Sequence, residues 1–484
     1  MLSAPFRSRA HFAPSHPYRL LPFRFGQLEG DDYLLTNDVG EYVVLQRAEL
    51  ADFIDHSLLP DTSTYRSLKA KHFLFDDENR SALDLLALKY RTRLARLAAF
   101  TGLHIFVVTL RCDHSCHYCQ VSRQTEHLER FDMTREHAEK ALAFAFRSPS
   151  PNLKIEFQGG EPLLNFDLVR YVVERATSMN AVFRKNLQFV IATNLSRLSH
   201  DVLAFCKEHA IYLSTSLDGP ADLHDAHRPV RGGGSHRRTV EAIREARAAL
   251  GADRLAALMT TTVGSLARVE EIVDEYVRLE FHSIFLRSIS PYGFAVRASL
   301  RRKYDVHDWV RFYERGLAHI LRINQSGYAL REEFTAILLQ KLLHPAGTSY
   351  VDLQSPAGIG IGVLVYNYDG SVYASDEGRM LAEMGDHSFR LGHLDADSYE
   401  TMMTSDALLS VLDSTMLEGV PMCTDCPFLP YCGADPVYHQ ATQQDVVGHK
   451  ALSDFCKKQM GVLRHLIRTL EDDPPARDIL MTWV

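Results

Sequence analysis

No stretch of this chain approaches the ~20 consecutive apolar residues that a membrane-spanning helix needs, which excludes an integral helical membrane protein. Positive charge is not in excess. Lys and Arg number 53 against 61 Asp and Glu, a formal net charge of −8, which argues against a generic nucleic-acid surface. Residues 1–19 hold no acidic side chain and no apolar core segment, so they do not read as a secretory signal. Rich in Arg, Ser, Pro and His, they share a composition with transit peptides, but residues 1–17 read more simply as a flexible extension. What remains is ordinary for a globular protein: 484 residues, 46% hydrophobic and 24% charged, enough for about three domains. The eight cysteines fall as three (Cys112, Cys116, Cys119), one (Cys206) and four (Cys423, Cys426, Cys432, Cys456). Such clusters read as metal binding in a reducing cytoplasm rather than as disulfides.

The first cluster organises the chain. Cys112-Asp113-His114-Ser115-Cys116-His117-Tyr118-Cys119 follows a strand-like run, His104–Leu110. Three thiolates at C-x3-C-x2-C spacing, with no fourth Cys near, would leave one iron of a four-iron cluster open, and an open position is where a metal site does chemistry. A structural zinc site there would need a second cysteine pair. Cys206, inside a helical run, reads as a buried small hydrophobe.

Residues 18–102 read as a separate unit. Strands over 21–27, 32–37 and 41–46, with a turn at Asp38-Val39-Gly40, precede helices over 47–56, 63–72 and 81–98. From about Leu103 a strict strand–helix alternation follows. Strands are read at 104–110, 154–158, 187–194, 211–217, 255–263 and 283–288. The helices are at 134–147, 165–179, 200–209, 235–250, 266–279 and 306–323, with Thr134, Ser199 and Ser235 as N-caps. The strands are continuous apolar runs, as parallel strands buried on both faces require. Six βα units are too few for a closed eight-stranded barrel and fit an open one, with its site at the carboxyl ends of the strands. Each candidate segment does follow a strand: Gly159-Gly160-Glu161-Pro162, Thr193-Asn194, Ser216-Leu217-Asp218-Gly219, then Arg228, and Arg287. The glycines would let backbone approach a ligand closely. His224, His227 and His236 read as surface or capping histidines. Beyond residue 326 the alternation stops, and a hairpin turning at Asp369-Gly370 precedes the last four cysteines.

The cysteine spacing with Tyr118 before its last member, together with Gly159-Gly160-Glu161-Pro162, resembles the radical SAM superfamily. That resemblance implies an α/β fold with a partial (β/α)6 barrel over residues 103–325. Cys112, Cys116 and Cys119 would hold a [4Fe–4S] cluster that binds S-adenosylmethionine (SAM). SAM contacts are implied for Tyr118, Gly159, Gly160, Glu161, Asn194, Ser216, Asp218, Arg228 and Arg287. Residues 326–484 are similar to the SPASM extension of peptide-modifying members. Where that family places further cysteines this chain has Ser355, Ser375 and Pro436. One auxiliary [4Fe–4S] cluster is therefore implied, on Cys423, Cys426, Cys432 and Cys456, with a four-cysteine zinc site as the competing reading. The β3α3 unit is similar to winged-helix leader-recognition domains. It would take an extended leader by strand addition, or serve only as a cap. Leu-Pro-Phe-Arg-Phe and Ser375-Asp376-Glu377-Gly378-Arg379-Met380 look like the His-Xaa-Ser system maturases. The implied activity is oxidation of a ribosomally made precursor peptide, by cross-linking, with a reductant such as flavodoxin or ferredoxin. No nucleic-acid or membrane partner is implied, and the location is cytoplasmic. Two other readings stand beside it: oxidation of a single protein residue, as in sulfatase maturases, and a non-catalytic iron–sulfur scaffold. Asp435 and Tyr438 are the nearest candidates for a general base.

Overall fold

The computed structural model describes residues 18–76, 81–294, 304–344 and 350–484; the N-terminal extension lies outside the described residues. The chain divides into two compact units. Among the described residues, one holds 18–76, 81–96, 341–344 and 422–431, and the other holds 97–294, 304–340, 350–421 and 432–484.

In the first unit, β1 (Arg24–Glu29), β2 (Asp32–Thr36) and β3 (Tyr42–Gln46) form an antiparallel sheet in that order. They are followed by α1 (Arg47–Ile54), α2 (Ser63–Ala70) and α3 (Ala82–Leu94). The β2–β3 turn closes as its residues dictate: Asn37 Oδ1 accepts from the amides of Val39 and Glu41, and Gly40 takes φ +84°, a conformation that suits glycine. Leu35, Leu45, Phe53, Leu68 and Phe73 make the core. The segment carrying Cys423 and Cys426 is bonded to this sheet. Thr36 Oγ1 donates to Pro427 O at 2.8 Å, and Arg24 Nε donates to Thr424 O.

The second unit is built on β4 (Leu103–Thr109), α4 (Arg135–Ala145), β5 (Asn152–Gly159), α5 (Phe166–Phe183), β6 (Asn186–Ala192), α6 (His200–Glu208), β7 (Tyr212–Ser216), α7 (Ser235–Leu250), β8 (Leu255–Thr260), α8 (Val269–Arg278), β9 (Leu286–Arg287) and α9 (Val306–Gln325). Six strands run parallel in the order β9-β8-β7-β6-β5-β4. Ile105, Phe106, Phe157, Ile191 and Leu213 are buried along them, as expected of a sheet covered on both faces. Thr134 and Ser199 cap α4 and α6, accepting from His137 N and Val202 N.

Three expectations change. Ser235 is not the cap of α7: Gly234, at φ +69°, takes that position, and Ser235 is buried. The strand expected over 283–288 is split. Only Leu286–Arg287 pairs with β8, whereas Ser283–Ile284 pairs with Arg331–Glu332, and the buried Glu332 accepts from Leu286 N at 3.0 Å. The late hairpin, β10 (Val363–Tyr366) and β11 (Ser371–Tyr373), continues the main sheet. β10 pairs parallel with β4, Val363 opposite Leu103, and β12 (Arg390–His393) follows β11, so the sheet has nine strands. Later come α10 (Asp376–Ala382), α11 (Pro436–Gln443) and α12 (Asp454–Asp472).

Candidate active site

The cysteine loop leaves the carboxyl end of β4, and Cys112, Cys116 and Cys119 are free and partly exposed. The turn after β5 packs directly beneath it. Gly160 N donates to Thr109 O and Glu161 N to Arg111 O, at 2.8 and 2.7 Å. A Cβ on Gly159 would stand 1.8 Å from Thr109 O, and one on Gly160 would stand 2.2 Å from Arg111 O. The glycines are therefore required by the close approach of the cysteine strand, a contact within the chain that spacing alone did not reveal.

Glu161 is fully buried. Its carboxylate accepts from Thr193 Oγ1 (2.6 Å), Leu163 N (3.0 Å) and Asn194 N (2.7 Å). Burial nonetheless pushes it up to about 7 against these three donors. This side chain sets the end of β6, and so the position of Asn194. From there Asn194 Nδ2 lies 3.1 Å from Asp113 Oδ1, 2.9 Å from His114 Nδ1 and 3.8 Å from Cys112 Sγ.

A second network reaches Cys116. Tyr118 Oη donates to Asp218 Oδ2 at 2.6 Å, Arg228 Nη1 donates to Tyr118 Oη at 2.7 Å, and Thr260 N donates to Asp218 Oδ1 at 3.2 Å. Burial pushes the Cys116 thiol up to about 11, with the Arg228 guanidinium pulling the other way. Burial also raises the Cys112 thiol, helped by the Glu161 carboxylate. Ser216 ends β7 two residues before Asp218, partly buried.

His224 and His236 are buried rather than on the surface, and His227 is partly buried. His224 is fully buried, its Nδ1 accepting from Asp218 N and its Nε2 lying 3.2 Å from Ser235 Oγ; His114 Nε2 reaches the same hydroxyl at 3.2 Å. Burial, reinforced by Arg228, pushes His224 down to about 2, so it stays neutral. His236 holds Glu275 at 2.7 Å, and His227 lies 2.8 Å from Thr262 Oγ1. Sequence reasoning gave no role to Asp113 or His114, named Thr193 only as the neighbour of Asn194, and read Ser235 only as a helix cap. The first two had a signal, their place inside the cysteine motif, and Thr193 had its place at the end of a strand; nothing local marked Ser235 as part of the site.

Of the residues expected at the site, the structure brings Tyr118, Gly159, Gly160, Glu161, Asn194, Asp218 and Arg228 around the cysteine loop. Arg287 stands at the end of β9. It lines a cavity with Asp352, Glu377, Asp435, Tyr438 and Lys458. The positions where cysteines are missing have other work. Ser355 Oγ donates to Glu418 Oε2 at 2.7 Å, Ser375 caps α10 by accepting from Gly378 N, and Pro436 opens α11. Cys423 and Cys426 belong to the first compact unit, Cys432 and Cys456 to the second.

Residues 106–274 match the model of the radical SAM superfamily. A cysteine-type anaerobic sulfatase-maturating enzyme of Clostridium novyi is 22% identical over 75% of this chain and 94% of its own. An uncharacterized protein of Methanocaldococcus jannaschii is 31% identical, but the match spans 27% of this chain and 42% of that relative. Among solved structures, native anSMEcpe with bound AdoMet superposes with a TM-score of 0.64 at 15% identity, over 78% of this chain and 99% of that one. Streptococcus suis SuiB bound to its precursor peptide SuiA gives 0.55 at 14% identity, over 90% and 98%. These likenesses establish the fold, a parallel-sheet core within which residues 106–274 match the radical SAM model. The superfamily uses a [4Fe–4S] cluster and SAM, and SPASM relatives carry auxiliary clusters. Among the described residues no helix is long and apolar enough to cross a membrane.

Proposed function

We propose that this chain is a radical SAM enzyme that oxidises a ribosomally made precursor peptide, forming a cross-link. The observation that carries this reading is one loop with three free thiols at the end of the first parallel strand, backed by polar side chains from the ends of its neighbours. The donor set fits the cofactor. Three thiols would ligate three irons of a [4Fe–4S] cluster and leave the fourth open. With SAM on that iron, the pair supplies reductive cleavage of the sulfonium and a hydrogen-abstracting radical.

The chain's own residues position and neutralise. Arg228, held by Tyr118, offers a fork for a carboxylate. By the same resemblance Ser216 is assigned to the ribose and the Gly159–Glu161 backbone to the α-amino group, while Asp218, fixed by Thr260 N and Tyr118, holds the Tyr118–Arg228 pair in place. By the resemblance to the SPASM extension, Cys423, Cys426, Cys432 and Cys456 are assigned to one auxiliary cluster, which would accept the electron of a net oxidation. The hydrogen bonds of Ser355 and Ser375 support a single auxiliary cluster. Single-residue oxidation is the second reading, favoured by the likeness to the sulfatase-maturating enzyme.

Anaerobically reconstituted, reduced protein incubated with SAM should release 5′-deoxyadenosine, followed by chromatography, and Cys116→Ala should not. Equal traces from the two proteins would leave only the scaffold reading. A one-electron reductant such as flavodoxin or ferredoxin would replace the chemical one in the cell. The leader of the peptide is assigned to the open edge of β1, where Phe25 is 46% exposed. In fluorescence anisotropy with a labelled precursor encoded beside this chain, Phe25→Asp should raise Kd by about tenfold, the worth of one lost aromatic contact of about 1.4 kcal/mol. An unchanged Kd would make the unit a cap.

A further inference from the structure

The cavity that holds Arg287 lies apart from the thiols yet adjoins their loop. Its wall runs from Arg287 to Tyr292, and two residues on Phe294 N donates to Cys119 O at 2.8 Å. A second tie comes from α10: Glu377 lines the cavity while Arg379 Nη1 donates to Val121 O. The volume is about 80 Å³, room for the end of one side chain.

Its lining is unbalanced. Three carboxyl groups, on Asp352, Glu377 and Asp435, face two cations, Arg287 and Lys458. Among the described residues neither cation forms an ion pair with any of the three. Lys458 Nζ donates to Ser288 Oγ at 3.3 Å and stands 5.7 Å from the Trp309 ring centroid. Two further polar atoms end in the cavity wall without partners, Gln459 Oε1 and Trp309 Nε1, on side chains each 2% exposed. A buried acceptor left unpaired costs about 1–3 kcal/mol, and charges in such surroundings are kept only when compensated. Burial, with repulsion from Asp352, pushes Glu377 and Asp435 above the usual carboxylate range. With its three carboxyls ionised, the cavity is one positive charge short, and Gln459 Oε1 lacks a donor.

We propose that this cavity is a specificity pocket for a cationic side chain of the peptide substrate, an ammonium or guanidinium that donates to Gln459 Oε1 and balances Asp352, Glu377 and Asp435. The Trp309 indole N–H is left to meet a carbonyl of the same residue. The assignment rests on the peptide-oxidising reading, but its test requires no turnover.

The chain has two tryptophans, Trp309 and Trp483. Holoprotein labelled with 5-fluorotryptophan therefore gives two fluorine resonances, assigned with Trp483→Phe. Titration with n-butylammonium and n-butylguanidinium should shift the Trp309 line saturably and leave the Trp483 line in place, while n-butanol and butyrate should not. Glu377→Gln with Asp435→Asn should weaken the cations about tenfold, as loss of a charge-assisted bond implies. Gln459→Leu, which keeps the carboxyls, should weaken them about fivefold, as loss of a hydrogen bond implies. Butanol acting as strongly as the cations, or a Trp309 line that no probe moves, overturns the pocket. A chain that cleaves SAM but fails this titration loses only the pocket; one that passes it without cleaving SAM loses only the proposed chemistry.

Discussion

At the scale of the residue, the site is held by side chains whose work is internal. Glu161 sits in the motif that resembles a nucleotide contact, yet its carboxylate is wholly engaged with Thr193, Asn194 and Leu163. Only the backbone around it remains for a ligand. Asp218 joins Tyr118 to Thr260, and through Tyr118 to Arg228. Asp218→Asn replaces one acceptor oxygen with a donor facing a donor. It should cost about 1–3 kcal/mol in chemical denaturation and weaken SAM in equilibrium dialysis. A variant that melts and binds like the parent would remove Asp218 from the organising role. The reason is local: a fully buried carboxylate has no water to replace the partner it loses.

At the scale of the element, helices α7 and α8 are tied by Glu275, which takes bonds from His236 and from Arg278, at 2.7 and 2.6 Å. Burial alone would raise this carboxyl, but Arg278 and His236 override it and take it down from 4.5 to about 2. A depressed carboxyl stabilises the fold above its unfolded value and loses that contribution as pH falls through its folded value. Relative to Glu275→Gln, the parent should therefore be more stable by about 1–2 kcal/mol above pH 4.5, after discounting for solvent screening. The difference should vanish as pH falls toward 2. Urea melts at several pH values read it, and a pH-independent difference would show that packing rather than charge joins the helices. The same helix start explains the misplaced cap: Gly232, Gly233 and Gly234 all take positive φ, which frees Ser235 to join His114 and His224.

At the scale of the whole molecule, the metal count separates the remaining assignments. Two [4Fe–4S] clusters would give about eight Fe per chain by analysis of reconstituted protein. Cys456→Ala should bring this to about four and leave the three-cysteine loop loaded. About four Fe with one Zn in the parent would make the C-terminal quartet a structural zinc site. Assembly at this scale also decided where the hairpin went. β10 joins β4 across a separation of some 260 residues, a pairing that no local pattern encodes because its register is set by the strand it meets.

The sequence by itself determined the parallel sheet, the order of its strands and helices, and the three-thiol loop at the end of β4. Continuous apolar runs, capping residues and cysteine spacing are local, and local signals survive without the fold. The tertiary structure alone decided what the glycines of the β5 turn accommodate and that His224 and His236 are buried. It also brought Arg287 together with Asp352, Glu377, Asp435 and Lys458 around one cavity. Those residues are spread over some 170 positions, and their charge balance exists only once the strand end, α10, α11 and α12 have closed on one another.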